Sequence, residues 1–463
     1  MQVSMVYSAV TKPGDREKED NNIECHDKDG NRMGCIPTSS LELEGPFTYD
    51  SIMVSHETKK SVYSVLSSNA SCDWRSHSMS SFPSELSLCS TPSLRFLDTG
   101  SQNYERNTHG CISAIKGYGG GVGIFSLALK CCNVLYSGSY GIQAWHHDAQ
   151  NPAKQRCTFG SGAVKAISFA GDKLLSAHED HKIRIWKLSE DRHPKLICSL
   201  PTVKDYLRNC IKPGSYVKVR RHKTCLWIQH IDTISSLATT KDGLLYSASW
   251  DKTVKVWRLS DSVCIESFPA HVDAINSIVT SDDGILYTAS ADSKIKVWKK
   301  CCSGLRTKHT MIRVLEKHKS AINALALSSD GSVLYSGGCD RDIIVWEKRR
   351  IDVNGYADDD EHIMHAVSLL SGHMQAILCL ATVKSDLVCS GSADKTVRIW
   401  RRGVGECQSC CIAVLKGHNS PVKSITACYD DFVGCVTFSG SLDGEIRVWL
   451  GHGHLRLLNL EGL

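Results

Sequence analysis

Residues 245–257 read LYSASWDKTVKVW. A run of small residues leads into an Asp-bearing turn, and a short alternating strand then ends on tryptophan. Nearly the same phrase is written seven times: VLYSGSYGIQAW (134–145), LLSAHEDHKIRIW (174–186), LYSASWDKTVKVW (245–257), LYTASADSKIKVW (286–298), LYSGGCDRDIIVW (334–346), LVCSGSADKTVRIW (387–400) and TFSGSLDGEIRVW (437–449). Alternation such as Val254, Val256 against Lys255, Trp257 is the period of a strand, not of a helix. A phrase that returns at a near-constant interval makes the repeat the unit to be explained.

The tryptophans lie 41, 71, 41, 48, 54 and 49 residues apart. Most units add an apolar strand preceded by histidine and a further strand before the next copy, giving four strands per unit. Short strands separated by turns, four to a repeat of about 40–45 residues, predict an all-β, seven-bladed β-propeller. Longer intervals then carry loops. Between Trp186 and Trp257 the insert LPTVKDYLRNCIKPGSYVKVRRHKTCLWIQH (200–230) predicts a short helix over Val203–Cys210, stopped at Pro213-Gly214. After Trp346, the acidic run 357–361 is expected to be a solvated turn.

Bulk properties narrow the function classes. A net charge of +5 over 463 residues gives no general basic field for nucleic acid. The N-terminus MQVSMVYSAVTKPGDREKED lacks the basic-then-apolar pattern of a secretory leader. No stretch approaches the roughly 20 apolar residues that span a bilayer. The 22 cysteines are irregularly spaced, which fits free thiols better than a disulfide framework. A cytoplasmic or nuclear monomer that binds other proteins, without nucleic acid, membrane, metal or cofactor, is the expectation.

Residues 1–106 break the pattern and mix charge with the serine-rich run SVYSVLSSNASCDWRSHSMSSFPSELSLCSTPSLRF (61–96). Such composition predicts a disordered tail ahead of a propeller spanning 107–463. Ser76, Ser78 and Ser80 after Arg75, and Thr91 before Pro92, could make the tail a phosphorylated regulatory segment.

Five units share a fuller set: His230, Asp251, Trp257; His271, Asp292, Trp298; His318, Asp340, Trp346; His373, Asp394, Trp400; and His418, Asp443, Trp449. In this the chain resembles the WD-repeat family. The resemblance implies that each histidine bonds its turn aspartate and that a strand hydroxyl joins it to the indole N–H. Ser247, Thr288, Ser336, Ser390 and Ser439 would supply those hydroxyls. A buried network needs every donor and acceptor matched, which accounts for residue types recurring together. Repetition in the same register also argues against reading the His–Asp pairs as catalytic dyads.

Two units depart from the set. The second keeps Asp180 and Trp186 but has Gly160 in the histidine position; the first keeps Trp145 and loses both partners. The lone strand over residues 111–116 has the length to complete the seventh blade, as family propellers close their rings, with 455–463 as the competing segment. The insert, the serine-rich tail and the shortened first turn are similar to those of the plant Jingubang-like WD-repeat proteins. That resemblance implies a non-enzymatic regulator of growth or hormone signalling that binds other proteins.

The family often contacts partners through the residue before each turn aspartate and the loop entering each first strand. Carried over, these positions are Glu179, Trp250, Ala291, Cys339, Ala393 and Leu442, with Asp232 and Asp273 nearby. Trp250 is expected to be an exposed anchor or to pack on the next loop. Arg220 and Arg221 belong to a basic run, 218–223, read either as a charged strand edge or as a docking patch for an acidic partner. The glycine run 117–123 misses the spacing of a phosphate loop, since a strand follows it. Cys407, Cys410 and Cys411, placed in a loop, lack the second pair a zinc site needs. Trp346-Glu347-Lys348-Arg349 approaches the Trp-Asp-x-Arg ending of some cullin-type ubiquitin-ligase substrate receptors, which keeps that function as the alternative.

Overall fold

The computed structural model describes residues 109–117, 122–130, 134–146, 154–188, 194–220, 223–303, 306–349, 363–383, 386–403, 409–430 and 434–451. The proposed tail, the acidic run 357–361 and the competing closure segment 455–463 lie outside them. Among the described residues, seven four-stranded antiparallel sheets form, six of them built from four consecutive strands and the seventh completed by a strand from the start of the described chain. The first strand of each sheet packs against the first strand of the sheets before and after it, and the seventh meets the first. The result is a seven-bladed β-propeller.

Blade 3 shows the pattern, with strands Ile234–Thr239, Leu244–Ser249, Thr253–Arg258 and Val263–Pro269. Its second strand is buried along its whole length, because blades cover both faces and only the outer strands and loops meet water. The tight turn after it puts Lys252 at φ 71°, and the corresponding residues of blades 2, 4, 5 and 6 are also left-handed. Blade 7 places Gly444 there, where a missing side chain removes the strain.

The core is divided among the blade interfaces. Each repeat tryptophan inserts into the preceding blade: Trp257 packs with Leu175 and Ile185, Trp298 with Tyr246 and Val256, and Trp400 with Tyr335 and Val345. Seven such clusters serve seven interfaces. Stability is therefore a nearest-neighbour sum in which every blade needs the next.

The ring closes through His109–Lys116, the strand expected from the sequence. It pairs antiparallel with Glu445–Gly451 and supplies the outer strand of blade 7. The insert forms the helix Val203–Cys210, capped by Thr202 accepting from the Asp205 N–H. A 3-10 turn at Pro213–Ser215 leads into a separate hairpin, Tyr216–Arg220 with Lys223–Leu226. The helix is inverted in polarity. Asp205 and Asn209 are buried and clamp it to blade 3, where Asp205 accepts from the Cys264 N–H and Asn209 from the Trp227 indole. Val203, Leu207 and Ile211 face outward.

Candidate functional site

In blades 3 to 6 one chain of bonds recurs. The Trp257 indole donates to Ser247 Oγ at 2.9 Å, His230 Nε2 meets the same oxygen at 2.8 Å, and His230 Nδ1 lies 2.8 Å from Asp251 Oδ2. The corresponding distances are 3.0, 2.8 and 2.8 Å through Thr288 in blade 4, and 2.8, 2.8 and 2.7 Å through Ser336 in blade 5. In blade 6 all three are 2.8 Å, through Ser390. A neutral imidazole satisfies every link: its Nδ1–H donates to the carboxylate while Nε2 accepts from the hydroxyl. Burial pushes His230 and His271 down, which keeps them neutral. Burial alone would raise Asp251 and Asp394, but hydrogen bonds from His230 or His373 and the neighbouring threonine hold both well below the usual carboxylate range.

The network also shapes the surface. Asp251 Oδ2 accepts from the Ile231 N–H at 3.1 Å, and Asp394 Oδ2 from the Met374 N–H at 3.0 Å. In blades 3 and 6 the residue after the histidine is thus pinned by the buried carboxylate while its own side chain projects to solvent, and Val272 holds the same position in blade 4. Val272 is 74% exposed, Met374 is 72% exposed, and Ile231 is exposed as well. These apolar side chains stand at one mouth of the channel between the blades.

Blades 7, 2 and 1 hold themselves differently. In blade 7 the His418 Nδ1 to Asp443 Oδ2 distance opens to 3.5 Å, and Asp443 accepts instead from the Asn419 N–H at 2.8 Å. In blade 2 the missing histidine is replaced from another place: His178 Nε2 lies 2.8 Å from Ser176 Oγ, which accepts from the Trp186 indole at 2.9 Å. Its Asp180 pairs with Arg184 at 2.7 Å. Gly160 has φ 71°, and a Cβ there would sit 3.2 Å from the Trp186 ring, so this backbone does not admit the usual histidine. Blade 1 retains only the Trp145 indole donating to Ser137 Oγ at 2.9 Å.

Five segments, 223–258, 262–299, 309–347, 365–401 and 409–449, match the WD domain, G-beta repeat family model. They coincide with blades 3 to 7, the ones that carry the full residue set. Blades 3 to 7 are WD40 repeats. Blades 1 and 2 fall outside the matched segments and are WD40-like by geometry. Among curated proteins the chain is similar to a CCR4-associated factor 4 homolog of Candida glabrata, at 30% identity over 29% of this chain and 25% of that protein. A probable cytosolic iron-sulfur protein assembly protein 1 of Chaetomium globosum is 32% identical over 24% of this chain and 27% of its own. Cell division control protein 4 of Candida albicans is 32% identical over 25% and 17%. The chain thus spans about a quarter or less of the relatives it matches. WD40 propellers in general act as protein-interaction scaffolds.

On this WD40 propeller the expected partner positions fall on the mouth just described. The N–H groups of Glu179, Trp250, Ala291, Cys339, Ala393 and Leu442 each donate to a backbone carbonyl just ahead of their own blade's first strand. Glu179, Asp232 and Asp273 are exposed. Asp232 and Asp273 also cap their own loops, accepting from the Thr233 and Ala274 N–H groups. Trp250 is half-buried, between the exposed anchor and the packed side chain that the sequence left as alternatives. The open aromatic is Tyr140, which occupies the equivalent slot of the shortened first turn and is 61% exposed. The signal was in the sequence: SGSYG aligns with SASWD.

Elsewhere the WD40 ring adds less. Arg220 pairs through its backbone with Lys223 in the insert hairpin. Its side chain and Arg221 lie outside the described residues, and the hairpin is separate from the mouth residues in the sheet order. Cys410 and Cys411 are not in a loop but open the outer strand Cys410–Lys416, and Cys407 lies outside the described residues. Among the described residues no His, Cys, Asp and Glu cluster could hold a metal. No helix among them is long and apolar enough to cross a membrane.

Proposed function

We propose that the chain is a non-enzymatic scaffold whose loop-bearing mouth holds partner proteins, acting in plant signalling or transcriptional regulation in the cytoplasm or nucleus. The observation that carries the scaffold reading is the coupling of buried carboxylates to exposed apolar residues at Ile231 and Met374, with Val272 in the same position of blade 4. Rigid loops that present isolated apolar side chains are suited to forming hot spots at modest entropic cost. In blades 3 to 6 the buried histidines are bonded on both ring nitrogens, to the turn aspartate and to the strand hydroxyl, which suits a structural role. The plant assignment rests on the insert and serine-rich tail, while the three curated relatives named above are fungal proteins. Residues 1–106 are assigned as a regulatory tail and 107–463 as the propeller.

The test is capture of partners from plant extract by the full chain and by a Val272→Asp, Met374→Asp variant. Loss of the same set of partners with an unchanged thermal melt supports the scaffold mouth; identical recovery refutes it. The ligase-receptor alternative is weaker, because the ending that suggested it is occupied within the ring. Glu347 is held by Arg402, and Lys348 by Asp283 at 2.5 Å. Co-purification of a ligase adaptor that is lost on Arg349→Asp would establish that alternative.

A further inference from the structure

Aligning the first strands shows one position that faces the central channel in every blade, within a cavity of about 200 Å3. In blades 3, 4 and 5 it is polar and already engaged. Ser235 donates to the Ile275 carbonyl at 2.5 Å, Asn276 to that of Ile322 at 2.9 Å, and Asn323 to that of Ile377 at 2.9 Å. Each of these blades is thereby tied to the next. Blade 6 places Leu378 there and ends the run.

The remaining three blades carry Lys423, Phe125 and Lys165. The Lys165 ammonium sits 4.1 Å from the Phe125 ring centroid. Among the described residues neither lysine has a hydrogen bond or an ion pair. Burial pushes both lysines down, and Lys423 adds to the effect at Lys165, so the two charges feel one another. Glu179 at the rim partly offsets Lys165. Two unpaired cations held on one arc of a channel are costly unless an anion visits them. Blade 1, which contributes Phe125 to the middle of the arc, also places the exposed Tyr140 in its turn.

We propose that this arc receives a phosphorylated side chain of a partner protein, inserted into the mouth of the channel. Two ammonium groups balance the nearly double negative charge of a phosphomonoester, whereas a carboxylate would neutralise only one. The aromatic faces of Phe125 and Tyr140 suit the apolar stem and the adjoining peptide. A cavity of this volume admits one such group and excludes a nucleic-acid strand. The inference rests on the scaffold reading and specifies one class of partner for the same mouth.

The test uses the immobilised full-length chain and degenerate peptide libraries centred on phosphoserine, serine or glutamate. The phosphoserine library should be retained about tenfold or more over the other two, as expected for a charge pair formed away from bulk water. Lys165→Gln with Lys423→Gln should abolish that preference while the melt stays unchanged. Should the double variant not fold, displacement of the library from the wild-type chain by inorganic phosphate at constant ionic strength decides the matter. Equal retention of glutamate peptides overturns the assignment to phosphate. Equal retention of all three libraries, or a preference that phosphate does not compete away, overturns the site. Partner capture through Val272 and Met374 would survive either result, so failure here is distinguishable from failure of the scaffold reading.

Discussion

Blades 3 to 6 and blades 1 and 2 build the same four-stranded sheet by different means. In the first group a histidine from the entering loop joins a turn carboxylate to a strand hydroxyl, and the loop is fixed as a result. In the second, the strand hydroxyl still receives the indole N–H, but the loop histidine is absent. Blade 2 draws its imidazole from its own second strand, and blade 1 has none. The tryptophan and hydroxyl are therefore the part of the motif that holds a blade together, while the His–Asp pair governs the mouth. Freed from that pair, blades 1 and 2 vary the mouth most, with Tyr140 in the turn and Phe125 and Lys165 in the channel.

The comparison breaks most readily at the buried carboxylates. Asp394→Ala strips His373 of its acceptor and releases the Met374 N–H, and should cost about 2–3 kcal/mol in denaturant unfolding. Asp180→Ala, which loses exposed bonds from Arg184 and from the Lys182 N–H, should cost about 1 kcal/mol or less. Equal losses would show that the two groups of blades do not differ. Next in size, Gly160→His should fail to repair blade 2. The left-handed backbone and the nearby Trp186 ring make it destabilising by about 1–3 kcal/mol, measured in the same way.

A pH titration sharpens the contrast. Burial, joined by Arg184, pushes His178 down to about 4 from an ordinary value of 6.5. The folded imidazole thus stays neutral where the unfolded one takes up a proton. Stability should be full above about pH 6.5 and fall as pH drops toward 4. His178→Ser should cost about 1 kcal/mol at pH 7 for the lost bond to Ser176, and should make that acid decline shallower. Asp251 and Asp394 act in a lower window, because their depressed carboxyls lose their contribution only below the usual carboxylate range. The smallest effect is expected at Tyr140→Ala, within about 0.5 kcal/mol of wild type. Trp250→Ala, at the same slot of a complete blade, should cost more, and a reversed order would contradict their burial.

The blades were legible because their determinants are local and repeated. The alternation before each tryptophan, the turn aspartate and the insert helix all lie within a few residues of one another. The closure strand was legible too, by its length and by the missing fourth strand of the last unit. His178 was not, because it occupies a slot filled by serine, or by glycine in blade 5, in the later blades. Only the two-residue strand spacing that sets Ser176 and His178 on one face betrays it. The burial of Trp250 depends on neighbouring loops, which no repeat encodes. The channel arc escaped for a related reason. Lys165 and Lys423 lie in different repeats, and their meeting appears only when VKAI (164–167) and VKSI (422–425) are wrapped onto a ring.

The pairing of Lys116 with Glu445 has a consequence for synthesis. The strand that finishes the ring leaves the ribosome before any blade, and its partner leaves after nearly all of them. Throughout translation the early strand carries an unsatisfied edge, while the growing arc of blades exposes the side of its newest member. Contacts so distant along the chain form slowly, and open strand edges invite misassociation. Arc growth can proceed blade by blade as the chain emerges, but the circle can be completed only after the last tryptophan has been made.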